Sequence, residues 1–279
     1  MKPAGTFIGS GKVKDIYALE SGHLLFYFTD RVSAFDVILP SKIPRKGEVL
    51  CKLSAYWFET LGVHNHMVRL DGPNSMVVNR LSMIPVECVV RGYLYGSLYD
   101  RLNRGEVSLP VEKVLAGKLP MPYFDPTTKS EVKDEPITEA EIVRQGKLTT
   151  AELEEVKQSA VSIYQRMSQR ASEAGFILAD LKLEFGRDGK GEVTLGDSIG
   201  PDEFRMWRAS SYVPGKAQES YDKQVVRDWL IAEGYKARLD EARKSGGRVP
   251  DPPSLPDDLI ERVSERYVYV YESLSGKKL

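Results

Sequence analysis

The sequence predicts an α+β fold, on three observations. Residues 13–30 and 176–198 each read as strands folded back about a glycine-containing turn. Residues 47–61 and 150–174 carry apolar side chains at helical spacing. Hairpins with separate helices favour this class over a doubly wound parallel sheet, and no internal repeat is visible.

Taken in order, Val13 to Leu19 and LLFYFTD, ending at Asp30, flank the Ser21-Gly22 turn as a hairpin. A helix follows Lys46-Gly47, with Val49, Leu53, Trp57 and Leu61 on one face and Gly62 closing it. Met76 to Val78 and Val86 to Val90 read as strands separated by the turn-prone SMIP at 82–85, a break that suggests lobes of residues 1–83 and 84–279. Asn103 to Thr150 is rich in Pro, Gly and charge and predicts an irregular, partly mobile segment. Thr149 and Glu152 form a capping-box pattern ahead of a long helix whose stripe is Leu153, Val156, Ala160, Ile163, Met167 and Ala171, stopped at Gly175. FILADLKLEFG and EVTLGDS then make two strands around GRDGKG, and helices follow over roughly 222–245 and 256–274.

Composition narrows the function. The chain has 279 residues, 42% of them hydrophobic, enough for a substantial core. Forty acids balance 39 bases, so no overall field draws it to nucleic acid or an anionic membrane. MKPAGTFIGSGK lacks the apolar run of a signal peptide, and nothing approaches the roughly 18 apolar residues of a membrane span, so a cytoplasmic chain is expected. Cys51 and Cys88 lack metal-ligand spacing and read as buried thiols; His23, His64 and His66 read as surface residues. Chemistry therefore falls to carboxylates, lysines and arginines.

Gly9-Ser10-Gly11-Lys12-Val13-Lys14 could cradle a phosphate through backbone N–H groups and two alternate lysines, or could be an ordinary turn; it matches neither the Walker loop nor the kinase glycine loop. In the later hairpin, alternation puts Asp180, Lys182 and Glu184 on one face and Leu181, Leu183 and Phe185 on the other. Symmetry about the turn pairs Phe185 with Glu192 and sets Asp180 opposite Asp197, two carboxylates that would need a cation such as magnesium between them. A solvated hairpin is the alternative. Arg91, with Gly92, Gly96 and Ser97 after it, closes an apolar strand and suits either an anion or a structural ion pair. DRVSAFD and FDPTTKSE are polar turns open to both structural and functional readings.

Together GKVKDIY, DRVSAFD, the Lys-Gly before the first helix, VECVVRGYLYGS, PTTKSE, ADLKLEFG, LGDSIGPDEFRMW and SYDKQVVRDWL resemble the phosphoribosylaminoimidazole-succinocarboxamide synthase (SAICAR synthetase) family, in order from about residue 11 to residue 230. The resemblance implies a small antiparallel N-terminal lobe over a larger α+β lobe, kinase-like or ATP-grasp-like, with nucleotide between. It implies ATP-driven ligation of L-aspartate to the carboxylate of carboxyaminoimidazole ribonucleotide (CAIR), with Mg2+, through an acyl phosphate, in de novo purine biosynthesis. It assigns Gly11, Lys12, Val13 and Lys14 to the ATP phosphates, Met83 to adenine, Glu184 to the nucleotide ribose, and Asp180 and Asp197 to magnesium. Arg91, Ser97 and Arg205 would hold the ribonucleotide's anions, helped by Lys182. Ser33, Asp36 and Lys129 would form the aspartate and acyl-transfer pocket, with Asp36, Lys129 and Lys182 catalytic, and Asp222 and Lys223 would lie nearby. The expected partners are these small molecules and a second copy of the chain as a homodimer, with no nucleic acid or membrane.

Two positions depart from the family pattern. Ser198 stands where an acid is common, which questions a second-metal role, and Glu203 replaces a small polar residue near the expected substrate anion. A small-molecule kinase or another ATP-dependent ligase would share the nucleotide-side features but not VVRGYLYGS and TTKSE. A silent nucleotide-binding module would be expected to lack one of Lys12, Lys14, Asp180 or Asp197, and all four are present.

Overall fold

The structure, a computed structural model, describes residues 4–129 and 134–279; Ser130 and Glu131 of PTTKSE lie outside the described residues. The chain opens with β1 (Thr6–Ser10), absent from the sequence reading, which pairs with β2 (Lys14–Ala18), and β2 with β3 (Leu24–Phe28). The glycine loop at 9–14 is thus the β1–β2 turn, closed by Gly11 N–H donating to the Lys14 carbonyl at 2.8 Å. DRVSAFD is not merely a capped turn. It builds a second hairpin, β4 (Arg31–Ala34) and β5 (Val37–Lys42), whose turn residues Phe35 and Asp36 both have positive φ, as a type I′ turn requires. Helix α1 (Lys46–Thr60) follows, then β6 (Met67–Leu70) and β7 (Ser75–Val78), which complete a five-stranded antiparallel sheet in the order β1-β2-β3-β7-β6.

The break between sheets falls at residues 79–81, not at SMIP, because β8 (Ser82–Leu94) runs through that tetrapeptide. Pro85 is accommodated where the register against the neighbouring strand shifts, so its missing N–H costs no ladder bond. After α2 (Gly96–Arg104), the segment expected to be irregular adds β9 (Gly117–Phe124), β10 (Thr127–Thr128) and α3 (Glu139–Arg144). Its prolines hid the strand: Pro120 and Pro122 sit in the stretch where the β8–β9 register jumps. Helix α4 (Thr150–Glu173) carries the expected capping box and buried stripe.

The second sheet is organised by β11 (Phe176–Arg187). One edge of β11 pairs with β8 over residues 180–187; the other is shared by β13 (Phe204–Arg208) over residues 176–181 and β12 (Val193–Gly196) over residues 184–187. In the gap between them the 197–203 segment crosses, held by Lys182 N–H donating to the Glu203 carbonyl at 2.7 Å. The β11–β12 register differs from expectation by three residues: Phe185 faces Leu195, not Glu192, and Asp180 faces Arg91 and Arg205, not Asp197. Asp188 moves the turn, since its carboxylate accepts the backbone N–H groups of Lys190 and Glu192. The expected helix over 222–245 is two, α5 (Gln224–Ala232) and α6 (Tyr235–Ser245), broken at Gly234, and α7 (Asp257–Ser275) ends the fold.

Leu181, Leu183 and Phe185 point into one core that joins both sheets to α1, α4 and α7, leaving the alternate face of β11 toward a cleft. The backbone at Gly92 on β8 admits no side chain: a Cβ there would stand 1.8 Å from the Tyr164 hydroxyl, which donates to the Leu178 carbonyl at 2.7 Å. Gly92→Ala should therefore cost about 1–3 kcal/mol through overpacking. Thermal melting of the variant should show a lower Tm, and an unchanged Tm would mean the helix yields freely.

Candidate active site

The cleft has a volume of about 640 Å³, within the range of small-molecule sites. Its floor is the ladder between β8 and β11, where the register sets Glu87, Val89 and Arg91 against Glu184, Lys182 and Asp180. Glu87 and Glu184 are thus two carboxylates directly opposed across a ladder, an arrangement that needs a cation. Lys182 supplies it, 3.1 Å from Glu87 and 2.6 Å from Glu184. Burial alone would lower the Lys182 proton affinity, but Glu184, Glu87 and Glu203 outweigh it and hold the ammonium charged well above the ordinary lysine range. Burial would likewise raise the Glu184 carboxyl, yet Lys182 and Lys129 hold it at about 2. Lys129 pairs with Glu184 from the cleft rim.

Arginines converge at one end of this floor. Arg91 donates to Asp125 at 2.6 Å, Asp180 at 3.3 Å and Ser97 at 2.9 Å, while Arg205 pairs with Asp180 from β13. Among the described residues the buried Arg205 Nε has no hydrogen-bond partner, and Arg227, which lines the same cleft, forms no ion pair. Gly96, in the left-handed region at φ +57°, brings the start of α2 against the Arg205 guanidinium, where a Cβ would come within 2.9 Å. Planar donors with spare N–H groups at a helix start suit a phosphate or carboxylate.

Lysines and acids border the other walls. Lys12 pairs with Asp36 of the β4–β5 turn, and Lys14 pairs with Asp197, itself strained at φ +58°. Burial lowers the Lys14 ammonium to about 8 against the pull of Glu203 and Glu184. His66 is not a surface residue as expected. It is 2% exposed, set edge-on to Phe26 and Phe58, with Nε2 3.1 Å from the Asp197 carbonyl. Burial and the nearby Lys14 lower its proton affinity to about 3, so a neutral imidazole fixes the Asp197 backbone.

Behind Asp197, Asp202 is buried against Lys46 at 2.8 Å, accepts from the Tyr267 hydroxyl at 2.9 Å and lies 3.7 Å from Lys223. Lys223 also reaches Ser33 at 3.3 Å. Burial raises Glu203 to about 7, reinforced by Asp202 and opposed by Lys182, Lys14 and Lys223, and among the described residues its Oε2 has no hydrogen-bond partner.

The cleft gathers Gly11, Lys12, Val13, Lys14, Ser33, Asp36, Met83, Arg91, Ser97, Lys129, Asp180, Lys182, Glu184, Asp197, Arg205 and Lys223. Asp222 is the exception. Its carboxylate lies in the protein, accepting the backbone N–H groups of Met206 at 2.8 Å and Gln224 at 2.6 Å, which fasten β13 to the start of α5. Burial raises this carboxyl to about 7 against those two bonds. The cleft also includes Thr127 of FDPTTKSE, which the sequence left open between a structural and a functional reading, and Glu87, Asp202 and Arg227, which sequence reasoning did not single out. Only Glu87 carried a readable signal, its two-residue spacing through Val89 to Arg91.

A split-edged sheet with a floor of paired charges and surplus arginine and lysine donors defines an enzyme cleft for several anionic substrates. The sequence profile of the SAICAR synthetase family matches residues 7–242, and the chain belongs to that family. A relative in Nitrosopumilus maritimus, named phosphoribosylaminoimidazole-succinocarboxamide synthase, is 48% identical over 275 residues, covering 98% of this chain and 99% of the relative. The solved SAICAR synthase from Saccharomyces cerevisiae, complexed with SAICAR, superposes with a TM-score of 0.81 at 34% identity, covering 98% of this chain and 95% of that one. A SAICAR synthetase in complex with ADP superposes with a TM-score of 0.74 at 27% identity, covering 97% and 98%.

Lys46→Met would leave Asp202 buried without its closest cation, a change worth about 3–5 kcal/mol. The denaturation midpoint should fall with little change in slope; a shift within error would mean Lys223 and Tyr267 neutralise Asp202 unaided.

Proposed function

We propose that this protein ligates L-aspartate to the carboxylate of CAIR at the expense of ATP, giving SAICAR, ADP and phosphate. The observation that carries the reading is the cleft's two kinds of anion site. Free arginine donors stand at one end and lysines of the β1–β2 turn at the other, with Lys182 between them. In this reading residues 1–83 cover the nucleotide, with Lys12 and Lys14 along its phosphates, Met83 beside adenine and Glu184 toward the ribose. Arg91, Ser97 and Arg205, joined by Arg227, hold the ribonucleotide's phosphate.

A carboxylate is a poor acyl donor to an amine. Phosphorylation by ATP gives it a leaving group, and the aspartate amine then attacks the acyl carbon as the C–O bond to phosphate breaks. Lys182 and Lys129 neutralise the anions that meet there, so positioning and charge compensation supply most of the acceleration. Ser33, Asp36 and Lys223 form the wall from which aspartate approaches. Asp222 is left out of substrate contact, since its oxygens are taken by backbone donors.

Magnesium fits this donor set through one carboxylate. Asp180 is engaged by two arginines, and among the described residues the one cluster of three His, Asp or Glu side chains close enough to share an ion, His64, Asp188 and Glu192, lies outside the cleft. Asp197, paired among the described residues only with Lys14 and set by His66, remains to hold Mg2+ together with phosphate oxygens, as this ion commonly binds. The ion would neutralise phosphate charge. No helix among the described residues is long and apolar enough to cross a membrane, and the reading places the enzyme in the cytoplasm with its phosphorylated substrates. Every residue it uses comes from a single chain, so it holds for a monomer or a homodimer.

ADP release should require aspartate, CAIR and magnesium-ATP together, and Asp197→Asn should reduce turnover by at least about a hundredfold, in line with loss of electrostatic stabilisation. ADP release without CAIR would instead indicate a kinase or another ligase.

A further inference from the structure

Resting on that reading, we propose that Glu203 is a specificity-determining residue whose carboxylate receives the amine of the aspartate co-substrate. Among the described residues, Glu203 Oε2 is the only buried carboxylate oxygen without a hydrogen-bond partner, and the residue lines the cleft. An unsatisfied buried acceptor costs on the order of 1–3 kcal/mol, so a donor is missing that a ligand can bring. The residue sits where a specific donor arrives. Its carbonyl is pinned to the N–H of Lys182, the lysine of the cleft floor, and it lies two residues along the chain from Arg205.

The Coulombic neighbours of Glu203 place it further. Asp202 repels its charge, while Lys182, Lys14 and Lys223 attract it, and Lys223 reaches Ser33 on the wall assigned to aspartate. Almost everything the three substrates carry into this part of the cleft is anionic: phosphates, the CAIR carboxylate and both aspartate carboxylates. The lysines serve those groups. Two groups beside the acyl carbon can donate to an acceptor, the 5-amino group of CAIR and the amine of aspartate; only the aspartate amine arrives as a cation, the charge a carboxylate receives, and Glu203 is held by the 200–203 turn, where its N–H donates to the Gly200 carbonyl at 2.9 Å. Amino-acid recognition by a carboxylate at this position is particular to a chain that carries Glu there.

Succinate, which is aspartate without its amine, tests this on the full-length protein. With saturating magnesium-ATP and CAIR, Glu203→Gln should raise the KM for aspartate about tenfold to a hundredfold, the range of a hydrogen bond to a charged group. The inhibition constant of succinate and the KM values for ATP and CAIR should stay within about twofold, and Glu203→Ser should repeat the pattern if the glutamine variant folds poorly. Equal losses for aspartate and succinate, an unchanged aspartate KM, or a shift falling on CAIR or magnesium instead would overturn the assignment. Failure of the unaltered enzyme to ligate aspartate would sink the ligase reading itself, a result distinct from any of these.

Discussion

Charge compensation across the β8–β11 ladder is the constraint on which the rest of the site depends. A strand that buries Leu181, Leu183 and Phe185 must present Asp180, Lys182 and Glu184 on its other face, and β8 sets Glu87 and Arg91 against them. In so enclosed a place each charge is tolerable only while paired. The floor solves this with alternating partners: Arg91 and Arg205 around Asp180, then Lys182 between Glu87 and Glu184, then Lys129 above Glu184. Because several of these cations keep spare donors, an incoming anion can join the network without dismantling it. The arrangement that lets the apo protein fold is therefore also the arrangement that receives substrate.

The divided edge of β11 determines where catalytic groups can enter. Had one strand paired along that edge without a break, the 197–203 segment could not loop out between its two halves. Because β13 pairs with β11 only as far as residue 181 and β12 only from residue 184, the segment between them brings Asp197, Asp202 and Glu203 to the cleft, with Asp202 paired to Lys46. His66 fixes the near end of that crossing from the other sheet, where residues 64–66 also bond with Leu195.

Much of this was legible in the sequence, and the failures have physical causes. Alternation along ADLKLEFG correctly gave the cleft face and the core face of β11, because a two-residue period survives any choice of partner. The partner itself was misread, because symmetry about GRDGKG ignored the Asp188 side chain, which draws the turn toward Lys190. The reasoning that opposed carboxylates need a cation was sound, but the opposed pair is Glu87 and Glu184 and the cation is a lysine. The prolines of 117–124 masked a strand that tolerates them at a register jump. His66 left no trace, since its burial depends on two phenylalanines brought up from elsewhere in the chain. Ordered motifs named residues that nearly all line the cleft, while Asp222 of SYDKQVVRDWL lies outside it, because a motif does not tell which way a carboxylate turns and this one turns to two backbone donors.

The buried Asp202 has a consequence for how the chain reaches this state. Its carboxylate is held by Lys46, 156 residues earlier, and by the hydroxyl of Tyr267, 65 residues later on α7. Contacts so distant in sequence close slowly, since the entropy of ordering the intervening chain comes before their reward. Until α7 docks, the turn bearing Glu203 rests on an acid that lacks the Tyr267 hydrogen bond. The cleft is thus complete only when segments from both ends of the described chain, α1 and α7, have come together around Asp202.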